Sequence, residues 1–301
     1  LKEKLVVIVG ATGDLGGRVV RELCKLKAPV KALVRTGTSH AKVKVLKDLG
    51  CDVAEVDFSD HRHLVKVMQG ATVVLSTVAG LRDVMVDLQT RLLNAAVEAK
   101  VPRFIPSDFS IDFTKIPDGA NRNLNLRLEF LRVAEKADIK LTSILNGGFM
   151  DMLAGVAPFI LFKIDRVLCW GSPDQLMDWT TIDDTAKFTA MAALDEETPR
   201  FLKIAGDEIS ANILARDMTE LTGRPHKVLK PGGLGMFNVL IKVTKFFVPG
   251  VNELYPPWQG MQYMHNMYSG LTKFEKLDND RYQMTWTRAK DILSSHLKSL
   301  S

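Results

Sequence analysis

The chain has 301 residues, 46 % apolar and 25 % charged, with a net charge of +5 and three cysteines. That is enough chain to bury a substantial core. The modest charge, with no Lys/Arg run interleaved with aromatics, argues against a nucleic-acid partner, and the scattered Cys24, Cys51 and Cys169 against a zinc or disulfide framework. No apolar stretch is long enough to span a bilayer, so no membrane partner is expected, and a reducing cytoplasmic setting is.

In chain order, an apolar strand over 4–9 runs into Gly10-Ala11-Thr12-Gly13-Asp14-Leu15-Gly16-Gly17, which opens a helix ending near Lys27. Further strands are expected over 30–34, 52–56, 72–76, 103–106 and 141–145, and helices over 39–49, 60–69, 84–99 and 123–137. His61 and His63, at the start of one such helix, read as surface residues, and no metal site is expected. Continuous Val/Ile/Leu strands with helical crossovers predict an α/β fold with a doubly wound parallel sheet, its ligand crevice at the strand C-terminal ends. After Asn146 the alternation weakens to short strands over 166–170, 201–204 and 227–229 and helices over 185–194 and 211–222. Phe237, Leu240, Ile241, Thr244, Phe247 and Val248 recur at helical spacing with Lys242 and Lys245 off that face. This stripe reads most simply as core, and otherwise as a lid, a partner surface or a membrane-surface helix.

The glycine turn carries the first chemical inference. Gly10 permits the tight turn, Gly13 lets backbone approach a pyrophosphate, and Gly16 lets the helix pack on the strand, so that bare amides of the helix N-terminus face the phosphates. Ala11, Thr12, Asp14 and Leu15 complete this cofactor-binding turn. At the end of the second strand stands Arg35, where an acid would select NAD, and Thr36 follows it. A guanidinium there can clasp a ribose phosphate, which points to NADP(H); alternatively Arg35 is a solvated surface residue. Asp57 and Phe58 end the third strand, where Asp57 either accepts from the adenine amino group or caps the next helix. Thr77, Val78 and Ala79 end the fourth, where small residues let backbone pass the nicotinamide-side ribose.

Gly10–Gly16, Val34-Arg35, Pro106-Ser107-Asp108-Phe109, Asn146-Gly147-Gly148-Phe149 and the segment from Trp179 to Phe188 occur in this order. The ordered set resembles the NmrA-like and isoflavone-reductase-like branch of the atypical short-chain dehydrogenase/reductases, over most of the chain and least from 232 to 274. The resemblance implies an NADP(H)-binding Rossmann domain over 1–150 and a smaller C-terminal α+β substrate lobe over 151–301, interleaved as one structural unit. It places Ser107 with the cofactor and Asp108, Phe109 and Asn146 with the substrate, Asp108 standing where the family has Glu. It also makes Phe149 an aromatic of the nicotinamide pocket and Asp184 a capping residue.

The chain departs from its relatives where they do proton chemistry. It has no Tyr-x-x-x-Lys, and its first tyrosine is Tyr255. Counting back twelve residues from Ile139-Lys140-Leu141-Thr142, where isoflavone-reductase-like enzymes carry a lysine, lands on Arg127. Arginine does not titrate near neutral pH. Arg127 would therefore bind ribose hydroxyls or steady an oxyanion, or else be a solvated helix residue. Lys115, Asn121 and Asn123 are polar groups nearby. The segment 255–268, rich in Met and aromatics, is either a substrate wall (Trp258, Met261, Met264) or a core-filling loop, with His265 and Tyr263, together with Tyr255 and Tyr268, as proton donors. The function expected is NADPH-dependent reduction of a small to medium apolar or aromatic substrate. The alternative is a non-catalytic NADP(H)-responsive protein that binds a protein partner.

Overall fold

In the computed structural model, which describes residues 4–300, the chain forms two compact units. One comprises the chain up to Phe109 with Leu126–Ile144 and Thr185–Leu202; the other comprises Ser110–Asn125, Leu145–Asp184 and the remainder from Lys203. Instead of one cut near residue 150, the chain passes between the units after Phe109, Asn125, Ile144, Asp184 and Leu202.

The first unit is built on six parallel strands: β1 (Val6–Val9), β2 (Val30–Arg35), β3 (Asp52–Val56), β4 (Val73–Ser76), β5 (Arg103–Ile105) and β6 (Lys140–Leu141). Their order is β3-β2-β1-β4-β5-β6, with Val6 opposite both Val30 and Val73. The order reverses between β1 and β4, and in such sheets ligands settle at that switch point. β1 is buried along its whole length, as its unbroken Val/Ile run requires. α1 (Asp14–Lys25) buries Gly16, Val19, Val20 and Leu23, one stripe at helical spacing. α2 spans His40–Asp48 and α3 His61–Met68. Val7, Leu33, Val74, Leu92, Phe104 and Phe130 share one core around the sheet.

Two expected elements take another form. The helix expected over 84–99 opens as a π-turn, Asp83–Leu88, and becomes α-helical only in α4 (Gln89–Glu98). The sixth strand, expected over 141–145, breaks at Thr142. The Thr142 amide donates to Phe104 O, but the Ser143 amide turns to Arg200 O, so Ser143–Leu145 leaves the sheet.

The helices α5 (Arg122–Ala134) and α6 (Ile182–Leu194) each run from the second unit into the first. In the second unit, Arg166–Trp170 pairs in parallel with Lys227–Gly232 and antiparallel with Ile160–Leu161. Met177–Thr180 lies between Gly148–Phe149 and Asp207–Ile209. α7 (Ala211–Thr222) is capped by Ser210, whose hydroxyl accepts from the Ile213 amide, and stops at left-handed Gly223. α8 (Leu234–Phe247), α9 (Pro257–Tyr268) and α10 (Ala289–Leu300) follow. The stripe read as core on α8 is only partly so: Phe237 and Ile241 are buried, while Leu240, Phe247 and Val248 are exposed. The Met/aromatic segment is no loop but the helix α9, started by Pro257 in its first turn.

Candidate functional site

The glycine turn lies between β1 and the N-terminus of α1. Gly10 has φ +90°, a conformation other residues rarely adopt, and a Cβ at Gly16 would lie 2.2 Å from Gly10 O and 2.5 Å from Thr77 Oγ1. The helix therefore sits close against the β1 and β4 ends only because Gly16 has no side chain. Ala11 is buried, Thr12, Gly13 and Asp14 are exposed, and Leu15 is half-buried. Asp14 is paired with Arg18 at 2.8 Å; the Gly13 amide donates to Gly10 O and the Gly17 amide to Gly13 O, so a ligand would meet the other amides of the turn.

A cleft of about 510 Å³ opens at the ends of β2 and β3. Arg35, Thr36, Asp57 and Phe58 line it, as does Arg91 from α4. Arg91 was not singled out in the sequence, yet Val84, Leu88 and Arg91 fall at helical spacing and all three reach this cleft. Asp57 does not cap the following helix. Its Oδ1 accepts from the Ser59 amide (2.8 Å) and hydroxyl (2.7 Å), and these bonds, with Arg91 nearby, hold its pKa below the ordinary value. Asp60 is the cap instead, accepting from the His63 amide.

At the end of β4, Thr77 donates its hydroxyl to Val9 O, and Val78 O accepts from Ser107 Oγ at 2.7 Å; Ala79 is exposed. Ser107 is buried, and its amide donates to Oε1 of the buried Gln89, which itself donates to Met85 O. Gln89 thus fixes the β5 loop to the π-turn, a link the sequence did not signal.

Asp108 and Arg127 depart from their expected roles. Asp108, read as substrate-facing, is fully buried; its Oδ2 accepts from Ser143 Oγ at 2.5 Å, and Ser143 Oγ in turn accepts from Arg200 at 2.8 Å. Burial pushes the Asp108 carboxyl up, opposed by Ser143 and by the charges of Arg127 and Arg200. Arg127 is therefore half-buried in an internal charge cluster and is not the solvated helix arginine of the simpler reading. Phe109 is buried beside them in the chain.

In the second unit, Asn146 is fully buried, and neither side-chain amide atom has a hydrogen-bond partner among the described residues. Phe149 is half-buried on the short strand beside Thr180. Trp258, expected on a substrate wall, is buried and taken: its Nε1 donates to Pro249 O at 3.0 Å, and Arg122 and Lys245 each lie 4.8 Å from its ring. Asn121 is a structural node, bonded to Asn266, Gln259 and the Leu124 amide. Lys115 pairs with Glu275, and Asn123 donates to Leu254 O. Asp184 does not cap a helix: it lies in the first turn of α6, where Thr181 Oγ1 accepts from its amide at 3.0 Å, and its own carboxylate accepts from the distant Thr287 amide, tying that segment to α6. Met264 is buried and Met261 half-buried. Of the proton-donor candidates, Tyr268 is withdrawn, since its hydroxyl donates to Leu168 O at 2.5 Å and burial raises its pKa strongly. His265 and Tyr263 are half-buried, and burial lowers the His265 pKa, favouring neutral imidazole.

The sheet order and the glycine turn at its switch point define a protein of the doubly wound, Rossmann type. The chain belongs to the NmrA-like family, whose model matches residues 2–233. A bifunctional pinoresinol-lariciresinol reductase of Linum usitatissimum is 31 % identical over 206 residues, covering 64 % of this chain and 66 % of that enzyme. The solved structure of AtPrR2 with NADP+ and (+)-pinoresinol superposes with a TM-score of 0.81 at 22 % identity, over 98 % of this chain and 99 % of that one. An isoflavone reductase structure superposes at 0.82 and 21 % identity, over 97 % of this chain and 99 % of that one. At these identities the two structures speak for the fold.

Proposed function

We propose that this protein is an NADPH-dependent reductase of a small to medium apolar or aromatic substrate. The observation that carries the reading is the cleft at the β2 and β3 ends, where Arg35 and Arg91 stand at the edge of a nucleotide-type fold. The α1 amides receive the pyrophosphate, and Arg35, Thr36 and Arg91 receive a phosphate on the adenosine ribose. Asp57, whose bonds from Ser59 both go to Oδ1, would accept from the adenine amino group through Oδ2, and Phe58 would line that side of the cleft. Thr77, Val78, Ala79 and Ser107 shape the nicotinamide side.

A nicotinamide dinucleotide held there would supply the hydride for reduction of an electrophilic carbon of the substrate. Asn146 offers its unsatisfied amide to a polar group of the substrate. Arg127 holds the Asp108 cluster in charge balance and passes no proton; that proton comes from Tyr263, His265 or water. The names of the relatives, reductases of aromatic compounds, favour this reading over the regulatory one.

Fluorescence titration with NADPH and NADH tests it. NADPH is expected to bind preferentially, and Arg35→Glu to weaken NADPH by about 10- to 100-fold, the worth of a charge-assisted phosphate contact, while NADH changes little. Equal affinity for both nucleotides in both proteins would overturn the assignment. NADPH oxidation is then followed with pinoresinol and with aromatic enones as probes.

A further inference from the structure

α8 carries two apolar faces. One packs inward: Phe237 and Ile241 are buried, and Phe237 stacks on Trp170 with ring centroids 4.4 Å apart. The other is formed by Met236, Val239, Leu240, Val243, Phe246 and Phe247, all exposed, with Phe246 at 80 % and Phe247 at 75 %. These two rings pack edge-on against each other, centroids 5.2 Å apart. Exposed Val248 and Val251 continue the surface beyond the helix. A contiguous apolar surface of this kind marks an interaction site.

The charge around it identifies the partner. Between Glu220 and Glu253 the chain has Arg224, Lys227, Lys230, Lys242 and Lys245 and no acidic residue. Arg224 is engaged by Asp165 and Lys245 lies over the Trp258 ring, leaving Lys227, Lys230 and Lys242 exposed. Lys242 follows Val239 by three residues and precedes Phe246 by four, so it borders the apolar stripe directly. An apolar interior beneath a negatively charged rim matches both features, and a bilayer bearing anionic lipids has that structure. At 14 residues, about 21 Å, the helix is too short to cross and long enough to lie in the interface.

We propose that α8 docks on a membrane surface carrying anionic headgroups, Phe246 and Phe247 entering the acyl boundary and Lys242, with Lys230, meeting the phosphates. This departs from the expectation of no membrane partner, which rested on the lack of an apolar stretch long enough to span a bilayer, and takes up the membrane-surface reading of the stripe.

The test is flotation of the full chain with phosphatidylcholine vesicles and with vesicles that also contain phosphatidylglycerol. Binding is expected only to the anionic vesicles, weakening with salt. Phe246→Glu with Phe247→Glu should abolish it, and Lys242→Glu and Lys230→Glu should each weaken it about fivefold or more. All these positions are exposed, so an unchanged thermal melt and NADPH affinity identify folded variants. Three results would overturn the proposal: no binding to either vesicle, equal binding to both, or a wild-type dimer in light scattering that the double Phe variant converts to monomer.

Discussion

Asn146 and Asn121 are both fully buried asparagines, and they make opposite contributions to stability. Asn121 is held by three side-chain hydrogen bonds; the Asn146 side chain has none among the described residues. Removing a buried, bonded amide leaves its partners unsatisfied at about 1–3 kcal/mol, whereas removing an unbonded one loses only packing. Asn121→Ala is therefore expected to cost about 2–3 kcal/mol in urea unfolding, and Asn146→Ala less than about 1 kcal/mol. The order should invert for function, turnover falling at least about tenfold in Asn146→Ala if its amide meets a substrate group. Matching stability losses with intact turnover in Asn146→Ala would remove it from the site. The sequence named Asn146 through a motif but could not distinguish it from Asn121, because burial with or without a partner is a property of the packed chain. Arg127 shows the same boundary: counting residues located it, but that it would face Asp108 depends on Ser143 and Arg200, brought in from distant segments.

Among the elements, those set by local pattern were legible and those set by tertiary partners were not. β3 and α7 fall on their expected residues because each pattern is bounded by its own turn or cap. The π-turn before α4 and the break at Thr142 were not legible, since the first is a change of hydrogen-bond phase inside a continuous helical pattern and the second depends on Arg200. The α8 stripe shows that periodicity finds a helix without saying which apolar face is turned inward. The strongest element-scale prediction concerns the β1–α1 junction. Gly16→Ala places a methyl group 2.2 Å from Gly10 O, backbone that cannot swing aside, while Gly17→Ala meets nothing closer than Ala11 O at 3.4 Å. Overpacking of this kind costs about 1–3 kcal/mol, so Gly16→Ala should lower the melting temperature and weaken NADPH by more than about tenfold as the turn is displaced. Gly17→Ala should be neutral or stabilising by up to about 1 kcal/mol, since alanine favours the helix. The pair measured by thermal melt and NADPH titration decides whether the glycines act through space or merely through flexibility; equal effects would mean flexibility.

For the whole molecule, the division into two units raises the question of whether they unfold together. The covalent layout argues that they do. The chain passes between them five times, after Phe109, Asn125, Ile144, Asp184 and Leu202, and two of these passages lie inside α5 and α6. Unfolding the second unit alone would strip the first turn from both helices, and each helix continues into the first. The sequence supplies a separate reporter, since all four tryptophans, Trp170, Trp179, Trp258 and Trp286, belong to the second unit, whereas the glycine turn and the Arg35 cleft belong to the first. NADPH at a hundredfold excess over its Kd stabilises a protein that binds it only when folded by about 2.7 kcal/mol, worth roughly 4 °C in a chain of 301 residues. If the units are one cooperative system, NADPH should move the tryptophan-detected melt and the far-ultraviolet circular dichroism melt by the same amount, although no tryptophan lies in the unit with the glycine turn. A shift confined to the circular dichroism trace, with the tryptophan transition left in place, would show that the second unit unfolds independently of the nucleotide fold, and that the passages through α5 and α6 do not couple them.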